Sequence, residues 1–192
     1  MVTATPRDRL TYEEYVARER TSEAKHEYVA GELFAMAGAK RAHNLISGNV
    51  VTILNTQLRD RPCLVFNSGV RVRTGDLVGA YPDVSALCGR PAFLDEGEDD
   101  LLNPTVIVEV LSDSTERYDR GEKFEHYQTV PSFREYVLAS STRPRIEVFT
   151  RQDDGGWLLR AYGPGEVAGM SSLDVSLAVD EVYRKVFDAA EG

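Results

Sequence analysis

Two carboxylates and one lysine stand out, because each falls where its neighbours do no such chemistry. The segment Thr105-Val106-Ile107-Val108-Glu109-Val110-Leu111 has the β-branched composition of a strand buried on both faces, and Glu109 is its one charged residue. Strand side chains alternate, so Glu109 shares a face with Ile107 and Leu111, where an ionised carboxylate is costly unless a cation or hydrogen-bond donors meet it. Ser112-Asp113-Ser114-Thr115 reads as a turn into a helix that carries Asp119 and Lys123 at i, i+4, and this helix, packed on the strand, can return Lys123 to Glu109. A second acid is placed similarly. In Tyr81-Pro82-Asp83-Val84-Ser85-Ala86-Leu87 the proline suits a strand start, so Asp83 heads a short strand. Hard divalent cations such as Mg²⁺ or Mn²⁺ prefer oxygen, usually take one or two protein carboxylates, and leave the rest of the shell to water and substrate phosphate. Asp83 and Glu109 are therefore candidate metal ligands, and Lys123 is a candidate to orient the nucleophile or stabilise the transition state at a phosphodiester. Two other readings stay open. Glu109 and Lys123 could form a buried ion pair with Asp83 capping a turn, without metal or turnover. Alternatively, the chain could be a non-catalytic binding or assembly module that recruits a partner protein through an acidic loop.

The elements that must position these residues follow from pattern. Thr11-Tyr12-Glu13-Glu14 fits a capping box, with Tyr12, Tyr15 and Val16 as the apolar stripe of a short leading helix over 11–19. Residues 26–36 read as two strands about a turn at Gly31. Ile46, Val50, Ile53, Leu54 and Gln57 recur at helical spacing, which predicts a long amphipathic helix from Ala42 to Arg59 with His43 in its first turn, a surface position in most helices but one that can face a site. Extended segments at 63–67 and 70–73 and the Asp83 strand suggest a meander. After the Glu109 strand and the Lys123 helix, Pro131 stops the helical pattern; strands are expected at 134–139, 145–151 and 157–162, and a closing helix over 180–187 with Asp180 as its cap. Helix and strand segments alternate around two acidic strands, so the class is α/β with a mixed central sheet.

At 192 residues with 42% hydrophobic content the chain suits one domain over 1–192, with its core at about 26–150. Twenty-two Lys and Arg against 31 Asp and Glu give a formal charge of −9, which argues against a protein held on nucleic acid by its overall field. DNA would need local contacts, for which Arg59, Arg61, Arg71, Arg73, Arg143 and Arg145 are candidates if they converge. The block Asp95-Glu96-Gly97-Glu98-Asp99-Asp100 reads as a solvated loop. Cys63 and Cys88 form no CxxC pair and read as plain core thiols of a reducing compartment. Met1 to Leu10 holds no apolar leader and no run has the length of a membrane span, so a soluble, cytoplasmic protein is expected.

These residues also carry a family resemblance. Pro82-Asp83, then Glu109-Val110-Leu111-Ser112 with Ser114-Thr115, Asp119, Lys123 and Tyr127, resemble the signature of the Uma-two family, a bacterial group of the restriction-endonuclease-like PD-(D/E)XK superfamily. Glu27 with Gly31-Glu32, His43, and Pro131-Ser132 leading to Glu135-Tyr136 extend the likeness over roughly Tyr28 to Phe149. The resemblance implies a restriction-endonuclease-like core of a mixed sheet flanked by helices, Asp83 and Glu109 as ligands of Mg²⁺ or Mn²⁺, and metal-dependent cleavage of DNA. A homodimer cutting both strands is the arrangement of many such nucleases. It assigns no role to Glu27, Glu32 or His43. In the superfamily tripeptide a lysine stands two residues after the acid; position 111 is Leu, and the resemblance implies that Lys123 from the next helix serves instead. Strand geometry offers the Val110 carbonyl as a third ligand. Lys123→Ala is then expected to lose on the order of 10²-fold or more in cleavage rate while leaving fold and metal binding intact.

Overall fold

The computed structural model describes residues 9–188 apart from 37, 76 and 98. In chain order the elements are α1 (Tyr12–Glu19), the hairpin β1 (His26–Val29) and β2 (Glu32–Ala35), α2 (Arg41–Leu58), β3 (Cys63–Asn67), β4 (Arg71–Thr74), β5 (Val78–Ala80) and β6 (Val84–Cys88). There follow β7 (Asp100–Leu101), β8 (Val106–Leu111), α3 (Glu116–Arg120), α4 (Glu122–Gln128), β9 (Glu135–Ser140), β10 (Ile146–Arg151), β11 (Trp157–Tyr162), β12 (Val167–Met170), β13 (Val175–Ala178) and α5 (Val179–Val182).

The central sheet has the order β11-β10-β9-β8-β6-β3. Its β8 and β9 run parallel and its other pairs antiparallel, so it is mixed. A parallel pair needs a crossover, and α3 with α4 supplies it. The β8 strand is buried along its whole length, as its near-continuous apolar run requires. One face, with Val106, Val108 and Val110, packs on Ile46, Val50, Leu54 and Leu58 of α2. Those four recur every fourth residue and are all buried, and each contributes about 1.5–3 kcal/mol of hydrophobic stabilisation. The opposite face, with Ile107 and Leu111, packs on Phe124 and Tyr127 of α4 and on Phe133 and Tyr136. Glu109 belongs to this second face, so α4 is the element that must answer its charge.

The leading helix opens on the expected capping box: the Thr11 hydroxyl accepts from the Glu14 N–H at 3.2 Å while the Glu14 carboxylate accepts from the Thr11 N–H at 2.8 Å. Ala30 and Gly31 both take positive φ, as a tight hairpin turn of primed type demands. Several expectations are corrected. The meander does not form, because β4 and β5 leave for a second sheet of order β2-β1-β5-β4-β7, and β6 returns the chain to the first. The Lys123 helix is broken at Gly121 into α3 and α4. The closing helix is the single turn α5, which Asp180 does not cap; the Asp180 carboxylate instead accepts from Gly165 N–H. The β12–β13 hairpin before it packs on α2 and was not anticipated. Cys63 and Cys88 are not core thiols. They face each other across β3 and β6, neither is buried, and they are joined in a disulfide. No helix among the described residues is long and apolar enough to cross a membrane.

The acidic block is not a free loop either. Asp95 and Asp99 pair with Arg20 beside α1 at 2.9 and 2.7 Å, and Asp100 is buried against Arg71 at 2.7 Å, with Tyr12 donating to the same carboxylate at 2.7 Å. Asp100 is 1% and Arg71 3% exposed, so Asp100→Ala leaves a guanidinium uncompensated in the interior. We expect it to lower unfolding stability by about 3–5 kcal/mol, read as a shift of the urea midpoint. A change below about 1 kcal/mol, the scale of an exposed pair, would show that the pair is solvated in solution.

Candidate active site

The site gathers where β8 outruns β6. Asp83 sits immediately before β6, and its Oδ2 accepts the Val110 N–H at 2.7 Å and lies 3.2 Å from His43 Nε2 at the start of α2. In an extended residue the N–H and C=O point to the same edge of the strand. The Val110 carbonyl therefore projects along the edge that Asp83 occupies. From the other face of β8, Glu109 Oε1 meets Lys123 Nζ of α4 at 2.9 Å and accepts from the Tyr127 hydroxyl at 3.1 Å. Lys123 also lies 2.9 Å from Glu27 Oε1 of β1 and 3.7 Å from Asp119 Oδ1 of α3. The helix break at Gly121 does not separate Asp119 from Lys123, and Tyr136 fixes the turn by donating to the Asp119 backbone carbonyl at 2.9 Å.

Glu109 and Lys123 are 3% and 4% exposed, so their charges act on each other with little screening. Burial pushes the Glu109 carboxyl well above its ordinary range; Lys123 pulls it down, and Asp119, Asp83 and Glu27 push it further up. For Lys123 burial opposes the charge, but Glu109, Glu27 and Asp119 together hold the ammonium well above its usual range. Three carboxylates share one cation, so the most deeply buried of them holds its proton more tightly. Burial likewise raises Asp119. For His43 burial opposes protonation, and the bond to Asp83 outweighs it, so its value is raised.

The structure thus brings Asp83, Val110, Glu109 and Lys123 to one end of β8. Glu27 and Asp119 join them, and His43 joins through Asp83, the site-facing option that its place in the first turn of α2 left open. Glu27 had one signal of its own, an acid in an apolar strand segment, yet its partner lies on a distant helix. Glu32 is exposed at the start of β2 and takes no part. The six arginines divide. Arg71 is buried with Asp100, Arg73 stacks over Tyr12 and donates to Gly75, and Arg61 donates to the Leu173 carbonyl. Arg59 is exposed, 4.0 Å from Asp60. Only Arg143 and Arg145 lie together, with Arg120, in a cleft of about 260 Å³ beyond the ends of β8 and β9, where Glu116 and Glu147 offset part of their charge.

A hard divalent cation was expected here, and the oxygen donors at this end of β8 are of the chemical type such an ion takes. Among the described residues no three His, Cys, Asp or Glu side chains are placed to form a protein cage. A site of one or two carboxylates completed by water and phosphate is the Mg²⁺ habit rather than an exception. The hydrogen bonds of the site engage Oδ2 of Asp83 and Oε1 of Glu109. Asp83 Oδ1 and Glu109 Oε2 take none of them.

Comparison with known proteins gives the family and the fold. The Uma2 family model, described as "Putative restriction endonuclease", matches residues 12–180. Two uncharacterized proteins of Synechocystis sp. are similar along their length: slr1290 is 35% identical over 180 residues, covering 93% of this chain and 94% of its own, and sll1609 is 35% identical over 160 residues, covering 83% and 90%. A crystal structure from Anabaena variabilis, described as a "putative nuclease belonging to DUF820", superposes with a TM-score of 0.74 over 91% of this chain and 97% of that one at 17% identity. At that identity the likeness speaks for the fold. The chain belongs to the Uma2 family and has the restriction-endonuclease-like α/β fold.

Proposed function

We propose that this protein is a metal-dependent endonuclease that hydrolyses phosphodiester bonds of DNA. One observation carries the reading: four carboxylates, Glu27, Asp83, Glu109 and Asp119, surround the end of β8 and face one lysine and one histidine. Such a surplus of negative charge, partly desolvated, favours a divalent cation strongly. Asp83, Glu109 and the Val110 carbonyl would hold Mg²⁺ or Mn²⁺. The ion would supply neutralisation of the phosphodiester and acidification of a water molecule.

The chain's own residues do the rest. His43 and the Val110 N–H fix the Asp83 carboxylate through the same oxygen, leaving the other for the cation. An ammonium has three donors; Glu27 and Glu109 take two, and Asp119 at 3.7 Å lies outside hydrogen-bond reach of the third. That third N–H of Lys123 is the one we assign to a phosphate oxygen or to the attacking water. The alternative of a module recruiting partners through its acidic loop is less well supported, since Asp95, Asp99 and Asp100 are satisfied within the chain.

The test is a calorimetric titration with Mn²⁺ and Mg²⁺. Wild-type protein is expected to bind the ion. Asp83→Asn, which keeps an acceptor for the Val110 N–H, should weaken binding by on the order of 10-fold or more, since altering even an outer-shell partner costs about that much. No binding by wild type, or equal binding by the variant, would remove the metal reading. DNA affinity, supplied by local contacts, should fall steeply with added salt.

A further inference from the structure

On the nuclease reading above, we propose that Glu27 is the positioning residue that holds Lys123 in register with the Tyr81–Asp83 segment. Its Oε1 lies 2.9 Å from Lys123 Nζ and accepts the Tyr81 backbone N–H at 3.3 Å. Tyr81 is followed by Pro82 and then Asp83, so one carboxylate oxygen ties the lysine of α4 to the segment that delivers the first acid. The place of Glu27 in the fold adds to this. It stands on β1 of the second sheet, and Tyr81 is where the chain passes from the end of β5 in that sheet to β6 in the central one. Glu27 therefore locks the joint between the two sheets at the point where the site is assembled.

The other anchors of Lys123 cannot do this. Glu109 is fixed to β8 and Asp119 to α3, and neither is hydrogen-bonded to the Tyr81 segment. Without Glu27 the ammonium is free to turn toward Asp119, whose carboxylate lies 3.7 Å away. The third donor would then leave the position assigned above to a phosphate oxygen or the attacking water. Glu27 is buried at 8% exposure, so water is a poor substitute for its bond. Its isosteric amide keeps an acceptor for the Tyr81 N–H but removes the charge that holds Lys123.

Two variants and two readouts decide it. Glu27→Gln should lose on the order of 10²-fold in kcat, the scale of a roughly 1 Å displacement of a reacting group. The KM for duplex DNA should stay within about threefold, because Glu27 touches no substrate. Glu27→Asp keeps the charge but draws it back by one methylene, and it should fail to restore kcat. A residue needed only for charge balance would be rescued by aspartate. Nitrogen NMR of isotope-labelled lysine side chains, without metal or DNA, gives the second readout. The Lys123 ammonium should exchange slowly with water in wild type and much faster in both variants. Unchanged kcat, rescue by aspartate, or an unaltered Lys123 signal would each overturn the proposal. If wild type cuts no DNA, the nuclease reading fails, and the ammonium signal alone then decides whether Glu27 holds Lys123.

Discussion

Lys123→Ala is expected to lower unfolding stability by about 3–5 kcal/mol, a large share of what holds a typical domain folded. The ammonium is the only cation within 4 Å of Glu27, Glu109 and Asp119 among the described residues, and all four groups are buried. Its removal leaves three desolvated carboxylates with no counter-charge, and they must repel one another or take up protons. Sequence spacing pairs Lys123 with Glu109 and Asp119 and leads to the expectation of an intact fold; it does not show Glu27 as a third buried acid on the same ammonium. Urea unfolding at neutral pH measures the loss. A change under about 1 kcal/mol would place Lys123 in the class of solvated surface pairs and contradict the geometry.

Glu109→Gln should do the reverse. It removes one of the four acids, keeps the shape and an acceptor for Tyr127, and leaves Lys123 paired with Glu27. Stability should stay within about 1 kcal/mol of wild type, since relieving a surplus of buried like charge offsets the lost ion pair. Cleavage should nevertheless fall by on the order of 10²-fold or more, because a neutral amide is a poor ligand for a hard cation and no longer stabilises its charge. The contrast between the two variants is diagnostic. In a buried pair without surplus charge, taking away either partner would destabilise to a similar degree. Parallel unfolding curves and initial cleavage rates for both variants settle which holds.

Much of this was legible in the sequence because it is local. Alternation along 105–111 placed Glu109 on the Ile107 face, the four-residue recurrence from Ile46 to Leu58 gave α2, and Thr11 with Glu14 gave the first helix cap. What escaped depends on contacts between distant segments. Glu27 acquires meaning only when β1 meets α4, and His43 only when α2 crosses the start of β6. The β4–β5 pair reads like any hairpin, and nothing local says that it belongs to another sheet. Asp100 looks like its acidic neighbours until Arg71 and Tyr12 enclose it. The β12–β13 hairpin carries no strong local signal; the Ser171 and Ser172 turn between its strands is held by the distant, buried Glu135 carboxylate, to which both donate.

The most direct measurement is cleavage of supercoiled plasmid by purified wild type and Asp83→Asn, at matched folding, with Mg²⁺ or Mn²⁺ and with chelator. Wild type is expected to nick or linearise the plasmid only when the divalent ion is present, and Asp83→Asn to lose on the order of 10²-fold or more in rate with its unfolding curve unchanged. Wild type that leaves DNA intact with both ions, or Asp83→Asn that cuts as fast as wild type, would contradict a catalytic site at the end of β8.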